Sequence, residues 1–271
     1  MQSPLVSVLM PAYNAELYIG EAIESILNQT FKDFEFIIVD DASTDKTWET
    51  INKYAKKDKR IRAYQNKKNL KISLTLNKGI KATKGKYIAR MDADDWSYPY
   101  RLNKQVDFME NNPEVVICGG TMNICDSRLR ILAKREYPKD NDRLKKIIFR
   151  HSPFCHPSVI YRTDIAVKVK GYFDQYNCAE DIDFYFKMGQ HGKFSNLSIP
   201  LIKYRTVPGS ISHRYEKRQE IVTIQSRFYA VKKYGYKMSF FDKIYNCLQY
   251  ISIFIIPPVV KIWLFNKLRN S

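Results

Sequence analysis

Short apolar runs alternate with helical patterns over the first ninety residues, and this alternation narrows the folds open to the chain. Val6-Ser-Val-Leu-Met10, bounded by Pro4 and Pro11, reads as a buried strand. A helix follows from about Glu16 to Asn28, with Ile19, Ala22, Ile23, Ile26 and Leu27 on its buried side. Phe34–Val39 is a second strand ending at Asp40-Asp41, and Ser43 or Thr44 is the natural N-cap of a helix over about 46–56. A third strand spans Ile61–Tyr64, a polar loop covers 65–70, and a helix near Ser73–Lys81 closes at Thr83-Lys-Gly85 before the strand Tyr87–Met91. This β-α-β-α-β-α-β order implies an α/β fold: a mostly parallel central sheet with helices on both faces.

In such sheets ligands bind at the carboxyl ends of the strands. Pro11-Ala12-Tyr13-Asn14, Asp40-Asp41 and Asp92-Ala93-Asp94-Asp95 all fall there. Three carboxylates in four positions repel one another unless a cation or strong hydrogen bonds neutralise them. A hard divalent ion fits, because Mg²⁺ takes one or two carboxylates together with substrate phosphates. The plainer alternatives are a solvated acidic turn here and helix-capping acids at Asp40 and Asp41. The first strand-to-helix turn carries no G-x-G-x-x-G and the chain no G-x-x-x-x-G-K-[ST], which disfavours a dehydrogenase-type dinucleotide fold and excludes a P-loop.

The order V-S-V-L-M-P-A-Y-N, F-I-I-V-D-D-A-S-T-D and Y-I-A-R-M-D-A-D-D-W resembles the family 2 glycosyltransferases of the GT-A fold, over about residues 4–215. The resemblance implies a nucleotide-sugar donor, usually a UDP-sugar, with Mn²⁺ or Mg²⁺ bridging the D-x-D carboxylates and the diphosphate. By it, Pro11, Ala12, Tyr13, Asn14, Asp41, Arg90, Asp92 and Ala93 belong to the donor nucleotide site. Asp94 is the metal ligand with Asp92 beside it, while Asp95 and Trp96 lie near the diphosphate or the acceptor.

Further on, a helix from about Pro99 to Asn111 buries Leu102, Val106 and Met109, and Arg101 is assigned a structural role. Val115–Cys118 is a strand, and Gly119-Gly120 permits close backbone approach or a sharp bend. Residues 121–137 read as a strand pair turning at Asp126–Arg128, and 141–150 as a short basic helix. His156, in His-Pro-Ser, is either a structural loop histidine or a contact to acceptor or diphosphate. Glu180-Asp181 opens a helix, where the dipole stabilises carboxylates, so a capping pair is the plain alternative. The resemblance makes Asp181 the base that takes the acceptor hydroxyl proton and Glu180 its neighbour that positions the acceptor. One carboxylate base with no second nucleophile implies single displacement with inversion. Lys193–Leu197 and Ile199–Tyr204 read as strands. The loop Arg205–Arg214 resembles the family's loop over the donor diphosphate, where members often carry a metal-binding histidine at the position of Val207; His213 or Arg214 is the candidate replacement or diphosphate contact, with an ordinary exposed His213 as the plain alternative.

The tail differs in kind. Ile221, Ile224, Phe228 and Val231 mark an amphipathic helix over 216–234, and Phe241, Ile244, Leu248, Ile251 and Ile255 repeat the stripe before Pro257-Pro258. Residues 201–271 hold 13 Lys/Arg against 3 Asp/Glu, out of a net charge of +17 for all 271 residues. A basic tail points to an anionic partner. Lys261 and the proline pair interrupt any membrane span, so a helix pair in the membrane interface is expected, with Trp263 at the boundary. Packing of the stripe on protein is the alternative. Nucleic acid is disfavoured, since the acids occupy the ligand rim and the basic residues accompany an apolar stripe. Five cysteines without a C-x-x-C pair indicate neither a disulfide framework nor zinc. With no basic segment before its first apolar run, the N-terminus does not read as a signal peptide, and a reduced, cytoplasmic setting is expected.

The expectation is therefore a metal-dependent, inverting hexosyltransferase. It comprises a catalytic domain at 1–215 (nucleotide part about 1–98, acceptor part about 99–215) and a membrane-interface tail at 216–271. It would use a UDP-sugar, glucose or galactose by analogy, or alternatively UDP-GlcNAc or a deoxy-sugar nucleotide. Its acceptor would be a polyprenyl-diphosphate-linked sugar, in a β-1,3 bond to GlcNAc by the same analogy, at the cytoplasmic face of the bacterial inner membrane. O-antigen or capsule assembly is the implied setting.

Overall fold

The computed structural model describes residues 3–173, 179–206, 216–257 and 260–261. The elements are β1 (Val6–Ala12), α1 (Ile19–Leu27), β2 (Phe34–Asp40), α2 (Thr47–Ala55), β3 (Ile61–Gln65), α3 (Lys71–Ala82) and β4 (Tyr87–Arg90). There follow β5 (Trp96–Ser97), α4 (Arg101–Asn111), β6 (Val115–Cys125), β7 (Ile131–Arg135) and α5 (Asn141–Ile147). A 3₁₀ turn at His156–Ser158 leads into β8 (Ile160–Arg162), α6 (Thr163–Lys168), α7 (Glu180–Gly189) and β9 (Lys193–Arg205). Two tail helices, α8 (Glu216–Tyr234) and α9 (Phe240–Ile255), complete the described chain.

One sheet runs β3-β2-β1-β4-β8-β6-β9-β5, with β7 paired to β6. The first four strands are parallel, as the alternation demands. Beyond β4 the sheet is mixed: β8 is antiparallel to β4 and β6, while β6 and β9 are parallel. Strand alternation sends Val6, Val8 and Met10 to a core beneath α1, α2 and α4, and Leu9 to a second core beneath α3, α5 and α7. Helices thus cover both faces.

Several boundaries differ from the sequence reading, each for a local reason. β1 continues through Pro11 to Ala12, because β4 pairs with β1 only as far as Leu9 and Pro11 deprives no partner of a donor. Gly119 and Gly120 lie within a continuous β6 rather than at a bend. They serve close approach: a Cβ on Gly119 would sit 2.3 Å from Asn196 Oδ1 and one on Gly120 2.4 Å from Leu201 Cδ1. The two strands expected over 193–204 are one, β9, and the register shift at Gly120–Met122 absorbs Pro200. Ser43 and Thr44 do not cap α2; they bind the loop after β1 instead, as described below.

The two apolar stripes of the tail are disposed differently. α8 packs on α7, burying Ile224 and Ala230 while Phe228 stays exposed. In α9 the usual amphipathic arrangement is inverted. Its buried side carries Asp242 and Asn246, which face a buried Arg227 of α8 and the segment after α5. Arg227 donates to the Ile148 carbonyl, to Asn246 Oδ1 and to Gln249 Oε1, while Arg150 Nε donates to Asp242 Oδ1 at 2.6 Å and Asn246 Nδ2 to the Phe149 carbonyl at 2.9 Å. The apolar stripe faces outward instead: Phe240 is 72% exposed, Phe241 74% and Phe254 66%, beside Leu248, Ile251 and Ile255. Each such side chain forgoes about 1.5–3 kcal/mol of burial. No helix among the described residues is long and apolar enough to cross a membrane.

Candidate active site at the carboxyl rim of the sheet

The loop after β1 and the loop after β2 are knitted together. Asn14, at φ +48°, takes the left-handed backbone and accepts from the Thr44 N–H through Oδ1. Ser43 Oγ accepts from the Asn14 N–H, Thr47 Oγ1 from Ala15 and Asp45 Oδ2 from Glu16. Pro11 and Ala12 are buried strand residues, so of the four only the Tyr13 ring, 45% exposed, and the edge of Asn14 present surface to a ligand. Asp40 is wholly engaged by Ser43 and Gln65. Asp41 accepts from Asn66 Nδ2 and from the N–H groups of Leu70 and Lys71, so it caps α3 from a neighbouring loop. The capping reading of Asp41 is thereby realised in the structure, and the helix starts at Lys71 because of it.

The turn after β4 holds the acids. Asp92, Asp94 and Asp95 each offer a carboxylate oxygen, all within 4.8 Å of one another. Burial, with Asp92 alongside, pushes Asp94 up to about 6. Asp95 is raised well above the ordinary carboxylate range by burial and by Asp94. Its Oδ1 accepts from the Arg205 N–H at 2.8 Å, and Oδ2 is buried with no hydrogen-bond partner. A buried carboxylate oxygen without a donor, aimed among two further carboxylates, suits a hard cation. The donor set therefore fits Mn²⁺ or Mg²⁺, and Asp95 contributes to it beside the other two acids.

Two arginines fix this turn. Arg101, fully buried, donates through Nη2 to the Arg90 carbonyl at 2.6 Å and through Nε to Gln105 Oε1, the structural role expected of it. Burial pulls its guanidinium down to about 10. Arg205, at the end of β9, donates through Nε to the Asp94 carbonyl at 2.7 Å, through Nη1 to the Ser127 carbonyl and through Nη2 to Glu21 Oε2 at 2.7 Å. It also lies over the Tyr18 ring, 4.2 Å from its centroid. The sequence singled out Arg205 only as the start of a loop, and its clamp on Asp94-Asp95 links residues more than a hundred positions apart.

Arg90 joins this turn to a second acidic pair. Its guanidinium is buried and ion-paired with Asp92; burial opposes the charge, but Asp92 holds it protonated. Glu180 and Asp181 begin α7, entered through Ala179 at φ +55°. Burial and then Asp181 push Glu180 up to about 7, with Arg90 and Asp92 near enough to act on it; burial also raises Asp181. Ser152 Oγ lies 3.5 Å from Asp181 Oδ2. His156 sits beneath this pair, its Nδ1 3.7 Å from Glu180 Oε1. Trp96 opens β5 under Lys203 and lines a recess with Glu21, Glu24 and Pro99. Ala93 is buried in the acidic turn. His213 and Arg214 lie outside the described residues. The structure thus brings Arg90, Asp92, Asp94, Asp95, His156, Glu180 and Asp181 into one region, with the Tyr13–Asn14 and Asp41 loops at neighbouring strand ends of the same rim.

Known proteins resemble the chain over most of its length. The chain is 34% identical to an uncharacterized glycosyltransferase of Methanocaldococcus jannaschii, covering 96% of this chain and 92% of that one. It is 30% identical to the O-antigen biosynthesis glycosyltransferase WbnJ of Escherichia coli, over 74% of this chain and 79% of that one. Among solved structures, the mannosyltransferase PcManGT of Pyrobaculum calidifontis, in complex with GDP-Man and Mn²⁺, superposes with a TM-score of 0.66 at 17% identity, over 93% of this chain and 74% of that one. S. aureus TarS 1-349 in complex with UDP-GlcNAc gives 0.61 at 23% identity, over 82% and 66%. These two share the GT-A-like fold. The profile of "Glycosyl transferase family 2" matches residues 7–168, more than half the chain, and the chain belongs to that family.

Proposed function

We propose that this protein is a metal-dependent, inverting glycosyltransferase that moves a hexose from a UDP-sugar to a lipid-linked sugar acceptor. The observation that carries this reading is the pairing, across the buried Arg90, of a three-carboxylate turn with a second acid pair on α7. Asp92, Asp94 and Asp95 would hold Mn²⁺ or Mg²⁺, which when bound offsets the charge on a departing diphosphate. Tyr13, Asn14 and Asp41 line the nucleotide side, with Arg90 holding Asp92 in place. Asp181 accepts the proton of the acceptor hydroxyl as it attacks the anomeric carbon, and Glu180 orients that hydroxyl. One base, with no second nucleophile assigned among the described residues, gives a single displacement, from an α-linked donor to a β-linked product. In this reading residues 1–98 bind the nucleotide, 99–215 the acceptor and 216–271 the membrane.

The test is UDP release from UDP-glucose, UDP-galactose and UDP-GlcNAc in Mn²⁺ with a GlcNAc-diphospho-lipid acceptor, followed by NMR of the product's anomeric proton. A β-linked product is expected, and an α-linked one removes the inverting mechanism. UDP-GlcNAc is the second reading for the donor, favoured by the fold neighbour solved with it.

The outward apolar face of α9 supports a peripheral site at an anionic membrane, where apolar side chains enter the interface and lysines meet head groups. Sucrose-gradient flotation with vesicles containing phosphatidylglycerol is expected to carry the protein upward. Phe240→Ser/Phe241→Ser is expected to reduce the floated fraction at least fivefold, because two exposed phenyl rings contribute about 3–6 kcal/mol of the insertion. Equal flotation of the double variant would assign the face to another partner.

A further inference from the structure

His156 entered the sequence reading as a contact to acceptor or diphosphate, or as a structural loop residue. The geometry around it points elsewhere. Its ring is wedged between Tyr172 and Tyr185, with centroids at 5.6 and 6.1 Å. Nε2 lies 3.0 Å from the Tyr172 hydroxyl, and Nδ1 faces Glu180 Oε1 at 3.7 Å. Tyr172 is itself rigidly held. Asn77 bonds both its N–H and its carbonyl at 2.8 Å, Lys187 donates to the preceding Gly171 carbonyl, and its ring stacks on Phe184 at 4.3 Å. The Tyr172 hydroxyl can donate to or accept from Nε2, so the tautomer of this buried imidazole is set by the group facing Nδ1.

The charges nearby select between the two tautomers. Besides Tyr172 and Tyr185, the groups facing this region are Tyr161 of β8, which lies against Tyr172, Arg90 from β4, Asp92 after it, and Glu180 and Asp181 from α7. Burial first, and the Arg90 cation second, hold the imidazole neutral. A neutral imidazole has one N–H and one lone pair. At pH 8, above the value of about 7 to which Glu180 is raised, a lone pair on Nδ1 would face a carboxylate; an N–H there faces it favourably and leaves Nε2 to accept from the Tyr172 hydroxyl. The 3.7 Å separation exceeds a formed hydrogen bond, and such contacts tighten once substrate fills a site.

We propose that His156, pinned by Tyr172 and carrying its proton on Nδ1 toward Glu180, is a positioning residue that orients Glu180 beside Asp181. The inference rests on the reading of Glu180 and Asp181 as the acceptor-side acids. The orientation matters because Glu180 and Asp181 are adjacent, and a carboxyl free to rotate would spend time turned away from the acceptor hydroxyl.

The test is a long-range ¹H–¹⁵N correlation spectrum of the full chain, ¹⁵N-labelled at its four histidines, at pH 8. His156 is assigned by the signal lost in His156→Gln. A protonated Nδ1 and an unprotonated Nε2 are expected, with the Nδ1 signal shifting in Glu180→Gln. An Nε2–H tautomer, or an Nδ1 signal indifferent to Glu180→Gln, would overturn the proposal. The wild-type spectrum decides the tautomer without any variant having to fold. As a second arm, His156→Gln is expected to bind UDP with Mn²⁺ within twofold of wild type. A tenfold loss would make His156 a diphosphate contact instead and likewise overturn the proposal. Failure of the acid reading itself appears separately, as full turnover in Asp181→Asn with the tautomer unchanged.

Discussion

Asp181→Asn is expected to lower turnover by about 10²–10⁴-fold, the loss typical of a missing general acid–base group. Asparagine keeps the size and hydrogen-bonding shape of the side chain and removes only its ability to take a proton. Binding of UDP with metal should stay within twofold, because Asp181 opens α7 while the metal turn follows β4. The fold should not suffer either. Burial raises Asp181 and its charge in turn raises Glu180, so the ionised pair costs stability in the empty site. Removing one charge should leave the melting temperature unchanged or slightly higher. A variant that melts like wild type, binds UDP and turns over at full rate would show that another group accepts the proton.

Arg205→Ala is expected to act on structure and site together. The side chain is almost fully buried, and its loss strands the Asp94 carbonyl, at about 1–3 kcal/mol for a buried group left unpaired, while the carbonyl of the exposed Ser127 can turn to water. Glu21, the partner of Nη2, is half exposed and can return to water, so no buried charge is abandoned. A loss of about 1–3 kcal/mol in urea unfolding is expected, with the dependence on denaturant unchanged. Because the lost guanidinium also holds the Asp94 carbonyl, the acidic turn should loosen and metal-dependent UDP binding should fall at least tenfold, although the backbone N–H to Asp95 remains. Arg205→Lys should recover the charge but not the forked contacts, and so remain impaired. Wild-type stability in Arg205→Ala would mean that the turn is held by Arg101 alone.

The parallel half of the fold was legible because its signals are local. Each strand from β1 to β4 is a short apolar run, each intervening helix has a buried stripe, and helices α1 to α3 fall within a few residues of expectation. The second half was less legible because its pairings join distant segments. β6 and β9 run through glycine and proline that would end an isolated strand, and neither continuity is visible until the partner strand supplies the space and the register shift. The acids of the site could be read from their clustering. The groups that hold them could not: Arg205, Asn77 and Tyr172 sit in ordinary local sequence, and their roles come from contacts made across the fold. α9 shows the same limit in reverse. Its apolar stripe was plain, but a stripe alone says that one face differs from the other. The buried Arg227 and its polar partners turn that face outward.

The central claim is that the acidic turn is a metal-dependent nucleotide site. It is tested most directly by titration calorimetry of the full chain with UDP, with and without Mn²⁺, beside Asp94→Ala. The measurement belongs at pH 8, above the value of about 6 to which Asp94 is raised, so that the carboxylate is ionised. UDP binding that requires Mn²⁺ and weakens at least tenfold in Asp94→Ala is the expected result. Equal binding with and without the ion, or no UDP binding in either condition, would contradict the account.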